Sequence, residues 1–367
     1  MFSKLISFDV YLFVPLLILS FLGLLNFFST SLYYSLIKTG DQFAYFYDFL
    51  IKNFILGWIV FFLGHILGNN FHKNRVFFFI AFIVFFSFLW LVILTPLGVE
   101  INNAKRWIKL GFFVFQPAEL IKPFAILVLV FLLSSNPLAS TRFLIFVSLI
   151  FIFLIIIPIF FEPAGTNSLI IFLSLIATSL IFFKKQAYLF KYFSIIILIG
   201  LFFVFLGIYL WPYRQERILS FFTGGAVFKE KIFQLEKSQI AISSGGFWGK
   251  GLGKSEAKYL PLPKMLNDSV FSIYAEEFGF VGSIFLLALY GFLFLRILKI
   301  GFDNPSIEKR AFCLGVFTWL ITQTSFHIFS NLGLFVPTGV VLPFFSSGAS
   351  SQLAIYFSLG LINSFRK

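Results

Sequence analysis

Charge is what this sequence has least of. Only 12% of its 367 residues are Asp, Glu, Lys or Arg, against roughly 25% in ordinary soluble domains. A fold of this size could not cover its surface in water with so few charges, so a soluble globular protein is excluded. Cysteine is nearly absent. The single Cys313 rules out an intrachain disulfide and any thiolate cluster. Three histidines, His65, His72 and His327, are scattered through apolar sequence and offer no ligand spacing for zinc or haem, so no metal-binding residue is assigned. Among them His327 is expected to be a packed, hydrogen-bonded residue. Three further features are missing: a soluble domain, a low-complexity tail and an internal repeat, the last being the usual mark of a secondary transporter. The first apolar stretch runs into Asn26-Phe27-Phe28-Ser29-Thr30 with no small-x-small cleavage site, so it reads as a true span.

What is present is apolar. Hydrophobic residues make up 59% of the chain, 60 residues are Phe, and the mean hydropathy is +0.98. A membrane helix needs about 20 apolar residues, and ten such stretches are predicted: 10–28, 50–67, 76–94, 118–133, 143–161, 168–183, 190–210, 270–298, 311–334 and 350–364. The expected fold is an all-α polytopic membrane protein, a single domain over 1–367 with one long loop at 211–269. An even number of spans puts both termini on one side. The short loops of that side hold thirteen basic residues and the short loops of the other hold six, which predicts cytoplasmic termini and an outward-facing long loop. The net charge of +13 then has anionic lipid headgroups or phosphates as its natural partners rather than nucleic acid.

Polar residues in a membrane protein concentrate where function needs them. Three clusters stand out. The first is Asn102-Asn103-Ala104-Lys105-Arg106-Trp107-Ile108 followed by Gln116-Pro117-Ala118-Glu119-Leu120-Ile121-Lys122. It reads either as a capped interfacial helix or, because Glu119 and Lys122 enter the membrane side by side, as the wall of a cavity. The second is the long loop with its glycine-rich run Ser243-Ser244-Gly245-Gly246-Phe247-Trp248-Gly249-Lys250-Gly251-Leu252-Gly253-Lys254. Its glycines would let backbone N–H groups approach a phosphate, and its lysines would add charge; a basic loop resting on headgroups is the alternative. The third is Asn267-Asp268 ahead of Glu276-Glu277. Asp268 serves equally well on paper as a helix N-cap or as a carboxylate kept ionised by nearby cations and ready to take a proton.

On these residues the chain resembles the SEDS (shape, elongation, division and sporulation) family, the RodA/FtsW-type peptidoglycan glycosyltransferases. The family's Gly-Ala-x-Arg-Trp-Ile is similar to 103–108, its Gln-Pro-Ser-Glu-x-x-Lys to 116–122, and its Gln-Ser-x-Ile-Ala-Ile-Gly-Ser-Gly-Gly to 237–246. Gly-Lys-Gly-Leu-Gly stands unchanged at 249–253. The family's Leu-Pro…Asp…Glu-Glu-x-Gly spacing is kept from Leu262-Pro263 through Asp268 to Glu276-Glu277 and Gly279. Asn331-Leu332-Gly333, Pro337-Thr338-Gly339, Leu342-Pro343-Phe344 and Ser346 to Ser351 align with its last outer loop. Departures are concentrated at 162–167, one residue short of the family's Gln/Glu-Pro-Asp-Leu-Gly-Thr-Ala and lacking its aspartate, and at Leu266-Asn267, Ser269 and Ser347.

The resemblance implies a ten-span enzyme that polymerises lipid II, an undecaprenyl-pyrophosphate-linked disaccharide-peptide, by inverting glycosyl transfer on the outer face of the bacterial cytoplasmic membrane. It implies Asp268 as base, with Arg106, Glu119, Lys122, Lys237, Ser238, Lys250, Lys254, Glu277 and Ser350 around the substrate. No cofactor is assigned, although Mg or Mn is compatible, and the implied partner is a class B penicillin-binding transpeptidase. A lipid II flippase would need the same cations but no base, and a scaffold would need neither. Ser255 and Lys258 after Gly-Leu-Gly lean towards the division type, while the short amino-terminal tail leans towards the rod type.

Overall fold

The computed structural model describes residues 8–101, 104–111, 113–135, 139–162, 165–183, 192, 200, 226–259, 266–335 and 339–366. Nine of the ten expected stretches are helical, and the tenth, 190–210, lies almost entirely outside the described residues, as do 211–225 and 260–265 of the long loop. The helices are α1 (Val10–Thr39), α2 (Ala44–Asn69), α3 (Arg75–Leu94), α4 (Pro117–Ser134), α5 (Thr141–Phe161), α6 (Gly165–Leu180), α7 (Ala226–Ser244), α8 (Val270–Phe302), α9 (Ile307–Asn331) and α10 (Ala349–Asn363). Seven are long and apolar enough to cross a membrane; α7 is the helix that the long loop was not expected to contain.

Local signals set the ends. Asp9 caps α1 by accepting from the Leu12 amide at 2.9 Å, and Gly40 closes it in the left-handed conformation at φ 75°. Pro117 opens α4, where its missing N–H costs nothing.

Burial sorts the helices where hydropathy cannot. The apolar window of α4 is 83% buried and that of α3 only 22%, so α4 is the central post and α3 faces lipid. Glu119 and Lys122 are therefore held inside protein. Helices α2 and α10 touch backbone to backbone: a Cβ on Gly64 would come 2.5 Å from the Phe357 carbonyl oxygen, and Gly57 and Gly68 lie against Tyr356 and Ser364. Close approach of this kind is how membrane helices associate when lipid is as apolar as the side chains.

Polar contacts gather at the two ends of the bundle. At one end Arg296 of α8 forms a two-point salt bridge with buried Asp9, Arg366 donates to the Phe8 carbonyl, and Glu308 of α9 receives Arg75 and Ser134. Residues 8–9 and 363–366 thus lie together, as an even span count requires. At the other end a three-stranded antiparallel sheet, β1 (Gly98–Ile101), β2 (Ala104–Leu110) and β3 (Phe113–Phe115), follows α3. It corrects the reading of 102–108 as part of a capped interfacial helix: Ala104–Leu110 is extended and paired on both sides, and the helix starts only at Pro117.

Candidate active site

Asp268 sits in the turn that precedes α8. The N-cap position of that helix is Ser269, one residue past Asp268. Three elements fix its position. From α9, Asn331 Nδ2 donates to the Asp268 carbonyl at 2.9 Å. From the segment before α10, Ser346 Oγ donates to the Asn267 carbonyl at 2.8 Å, and Ser347 Oγ bonds the Asn267 side chain. From α7, Ser238 Oγ and Gln234 Nε2 reach Ser269 Oγ at 3.3 and 3.2 Å. Gly339 faces the carboxylate, where a Cβ would lie in ordinary contact, 3.8 Å from Oδ2. The result is a small cleft lined by Gln234, Ser238, Asp268, Ser269, Asn331 and Gly339 among others.

Asn331 and Gln234 carry more of this site than the sequence suggested. Asn331 is buried at the end of α9, and its Oδ1 accepts from Ser272 at 2.5 Å. His327, one turn earlier, is buried with Nδ1 2.7 Å from the Val340 carbonyl, the packed role expected of it.

A second group surrounds the first turn of α4. Lys122 Nζ lies 2.8 Å from Glu119 Oε2 and 3.3 Å from Asn167 Oδ1, and 5.4 Å over the Trp319 ring. Trp319 Nε1 donates to Gln323 Oε1, and Gln323 Nε2 donates to the Val341 carbonyl and to Ser351 Oγ. Ser350 Oγ accepts from the Gln116 amide at 2.9 Å. The start of α10 therefore ties the buried pair to the same segment that holds Asn267. A π-helical turn over Leu50–Ile55 of α2 points Asn53 at the Ser346 carbonyl, 3.2 Å away.

Arg106 on β2 donates from Nε to the Glu162 carbonyl at 2.9 Å. Glu162 follows α5 and is buried, and neither carboxylate oxygen has a hydrogen-bond partner among the described residues. Burial pushes its carboxyl well above the usual carboxylate range, with Arg106 pulling it down and Glu119 adding to the rise. Pro163 and Ala164, where the family's aspartate is missing, lie outside the described residues.

The long loop corrects one expectation. Its glycines do not leave amides open for a phosphate at 250 and 251: the Lys250 and Gly251 N–H groups donate to the Glu276 and Glu277 carbonyls at 3.0 and 2.9 Å. Lys250 Nζ is bound to Glu276 at 2.8 Å and to Glu256 at 3.2 Å, and the Glu276 hydrogen bond lifts its pKa. Glu276 also accepts from Ser244, Ser255 and the amides of Glu256 and Ala257. Glu277, buried one residue on, faces α1 instead, where Ser29 donates to it at 2.5 Å and Lys258 stands 3.7 Å away. Lys237 is partly buried with Nζ 5.2 Å over the Phe233 ring, and Lys254 is exposed on the glycine turn. The structure thus brings Asp268 and Ser238 into one cleft, Glu119, Lys122 and Ser350 into a neighbouring network, and Lys250 and Glu277 into structural ion pairs.

Comparison with known proteins gives one consistent result. The sequence profile of the FtsW, RodA and SpoVE family, described as cell cycle protein, matches residues 9–367. The probable peptidoglycan glycosyltransferase FtsW of Wigglesworthia glossinidia brevipalpis is 33% identical over 98% of this chain and 93% of its own length. The corresponding Borreliella burgdorferi protein is 30% identical over 97% and 96%. Among solved structures, a chain of a peptidoglycan synthase complex that coordinates polymerization and crosslinking superposes with a TM-score of 0.77 at 24% identity, covering 98% of this chain and 97% of that one. The rod shape determining protein RodA of Thermus thermophilus gives 0.69 at 23% identity, over 97% and 96%.

Proposed function

This chain belongs to the FtsW, RodA and SpoVE family of cell cycle proteins, and from that premise we propose that it is a peptidoglycan glycosyltransferase serving cell division or elongation. It polymerises lipid II into glycan strands. The end of the bundle that carries Asp268 faces outward, and the end with Arg75, Arg296, Lys309, Arg310 and Arg366 lies at the cytoplasmic surface, in keeping with the excess of basic residues there.

The observation that carries the mechanism is the placement of Asp268 by three separate elements at the mouth of a cleft beside a membrane helix. In the reaction the acceptor sugar hydroxyl attacks the anomeric carbon of the donor, and its proton passes to the Asp268 carboxylate. The bond from that carbon to the pyrophosphate breaks with inversion, and undecaprenyl pyrophosphate leaves with the electron pair. Arg106, Lys237 and Lys254 are the cations proposed for the leaving group; Lys250 is already engaged by Glu276. No group of three or more His, Cys, Asp or Glu residues comes together among the described residues, and no step is assigned to a divalent cation. Glu119 and Lys122 are proposed to organise the cavity wall.

A class B penicillin-binding transpeptidase is the proposed partner, and division the proposed process. Ser255 and Lys258, which suggested the division type, are the residues that tie the glycine turn to Glu276 and stand beside Glu277. The test is glycan-strand formation from lipid II by the purified protein, with and without its transpeptidase. Polymer is expected; folded protein that moves lipid II across a bilayer but makes none under either condition would overturn the assignment.

A further inference from the structure

Helix α8 is broken. Gly279 sits at φ 67° and ψ −164°, outside the helical region, and the break divides two environments. Residues 270–277 are all buried, whereas Phe280 is 58% exposed and begins an outward apolar face that continues through Ile284, Phe285 and Leu295. From Phe280 to Lys299, at about 1.5 Å per residue, that face is roughly 29 Å long, against a hydrocarbon thickness of about 30 Å. Phe280 therefore marks the edge of the hydrocarbon on the Asp268 side.

The glycine-rich turn is fastened at this level. The Phe280 and Val281 amides, which the break deprives of helical partners, donate to the Gly246 and Phe247 carbonyls at 2.9 and 3.2 Å. Gly249, at φ 82°, lets the turn lie directly on the Glu277 and Phe278 backbone. The tip of the turn points away from the protein. Phe247 stacks beside Phe280 with ring centroids 5.9 Å apart, Trp248 packs edge-on to Phe247 at 5.1 Å, and Trp248 and Leu252 are 78% and 50% exposed. Exposed Lys254 follows two residues later.

We propose that Phe247, Trp248 and Leu252 form a lipid wedge that seats in the headgroup boundary of the leaflet on the Asp268 side. The occupant is bilayer lipid. A large aromatic patch at the hydrocarbon edge, continuous with the lipid-facing side of α8 and ending in tryptophan, has the composition and depth of an interfacial belt. The wedge holds the glycine turn at a fixed height on the membrane, whatever substrate the neighbouring cleft takes.

The chain's only cysteine, Cys313, is buried, so an introduced surface thiol labels alone. Trp248→Cys and, separately, Leu252→Cys are labelled with nitrobenzoxadiazole and the full chain is placed in nanodiscs of phosphatidylglycerol and phosphatidylcholine. Glu256→Cys, whose parent side chain is 81% exposed, is the aqueous control. Expected are blue-shifted emission at 248 and 252, strong quenching by lipids spin-labelled near the headgroup, weaker quenching by lipids labelled near the chain end, and quenching of the 256 probe by aqueous iodide. Water-like emission at both 248 and 252, quenched by iodide and not by spin-labelled lipid, would overturn the wedge. So would a blue shift without lipid quenching, which would mean that a protein surface covers the tip.

Discussion

Removing one member of the Glu119–Lys122 pair should damage the protein more than removing both. Lys122 is 1% exposed and Glu119 6%, and the 2.8 Å contact is supplemented by Asn167 and the Trp319 face. Lys122→Met keeps the length of the side chain and its place against Trp319 but strands a buried carboxylate. Breaking a buried pair from one side costs about 3–5 kcal/mol, whereas replacing both members with neutral groups of similar volume is often close to neutral. The lost cation–π contact adds about 1 kcal/mol. Glu119→Gln should cost less than Lys122→Met, because Asn167 still accepts from the ammonium. The double variant Glu119→Gln/Lys122→Met should then recover about 2–3 kcal/mol relative to the sum of the singles. Equilibrium unfolding of the four proteins in mixed micelles measures the cycle. Additive losses would show that the two charges do not depend on one another, and the cavity-wall role assigned to them would fall.

Gly64→Leu should prevent α2 and α10 from meeting, since even a Cβ would press on the Phe357 carbonyl; Gly64→Ala should cost about 1–3 kcal/mol as overpacking, read as a lower unfolding midpoint. Gly249→Ala should loosen the glycine turn, because φ 82° and the Glu277 backbone both oppose a side chain, at about 1–3 kcal/mol; protection of the Lys250 and Gly251 amides from hydrogen exchange should fall. Glu162 has a raised carboxyl in the folded protein, so folding holds its proton after the unfolded chain would release it, and stability falls as pH rises above the unfolded value of about 4.3. Glu162→Gln should therefore raise the unfolding midpoint at pH 8 and leave it little changed at pH 4; an equal effect at both would refute the assignment.

The spans were legible because twenty apolar residues admit few other readings. Their arrangement was not, because in lipid a central helix such as α4 and a peripheral one such as α3 are equally apolar. The all-helical expectation missed the sheet at 98–115, where the cluster at 102–108 was read as a capped interfacial helix or a cavity wall and not as a strand. It also missed α7, whose alternation of Lys, Glu, Gln and Ser with apolar residues reads as loop once the eye is set on membrane spans. Asp268 was singled out through the resemblance of its spacing from Leu262-Pro263 and to Glu276-Glu277, and the structure sets it in a cleft; the Glu119–Lys122 pair was legible through the three-residue offset that sets both on one helix face. What the sequence could not show was direction. Glu276 and Glu277 are adjacent, yet about 100° apart around the helix, so one binds the glycine turn and the other faces Ser29. Asn331 was visible as part of a motif, but its bond to the Asp268 carbonyl spans 63 residues.

The most direct measurement is lipid II polymerisation by Asp268→Asn beside the parent protein, both in nanodiscs and both matched for thermal unfolding. The carboxamide keeps the shape of the side chain and the Asn331 bond to the backbone, and removes the base. A general base typically contributes about 10²–10⁴-fold, so the variant should lose at least about a hundredfold in rate while still binding lipid II. Polymerisation within a few-fold of the parent, from folded protein, would show that Asp268 is not the base.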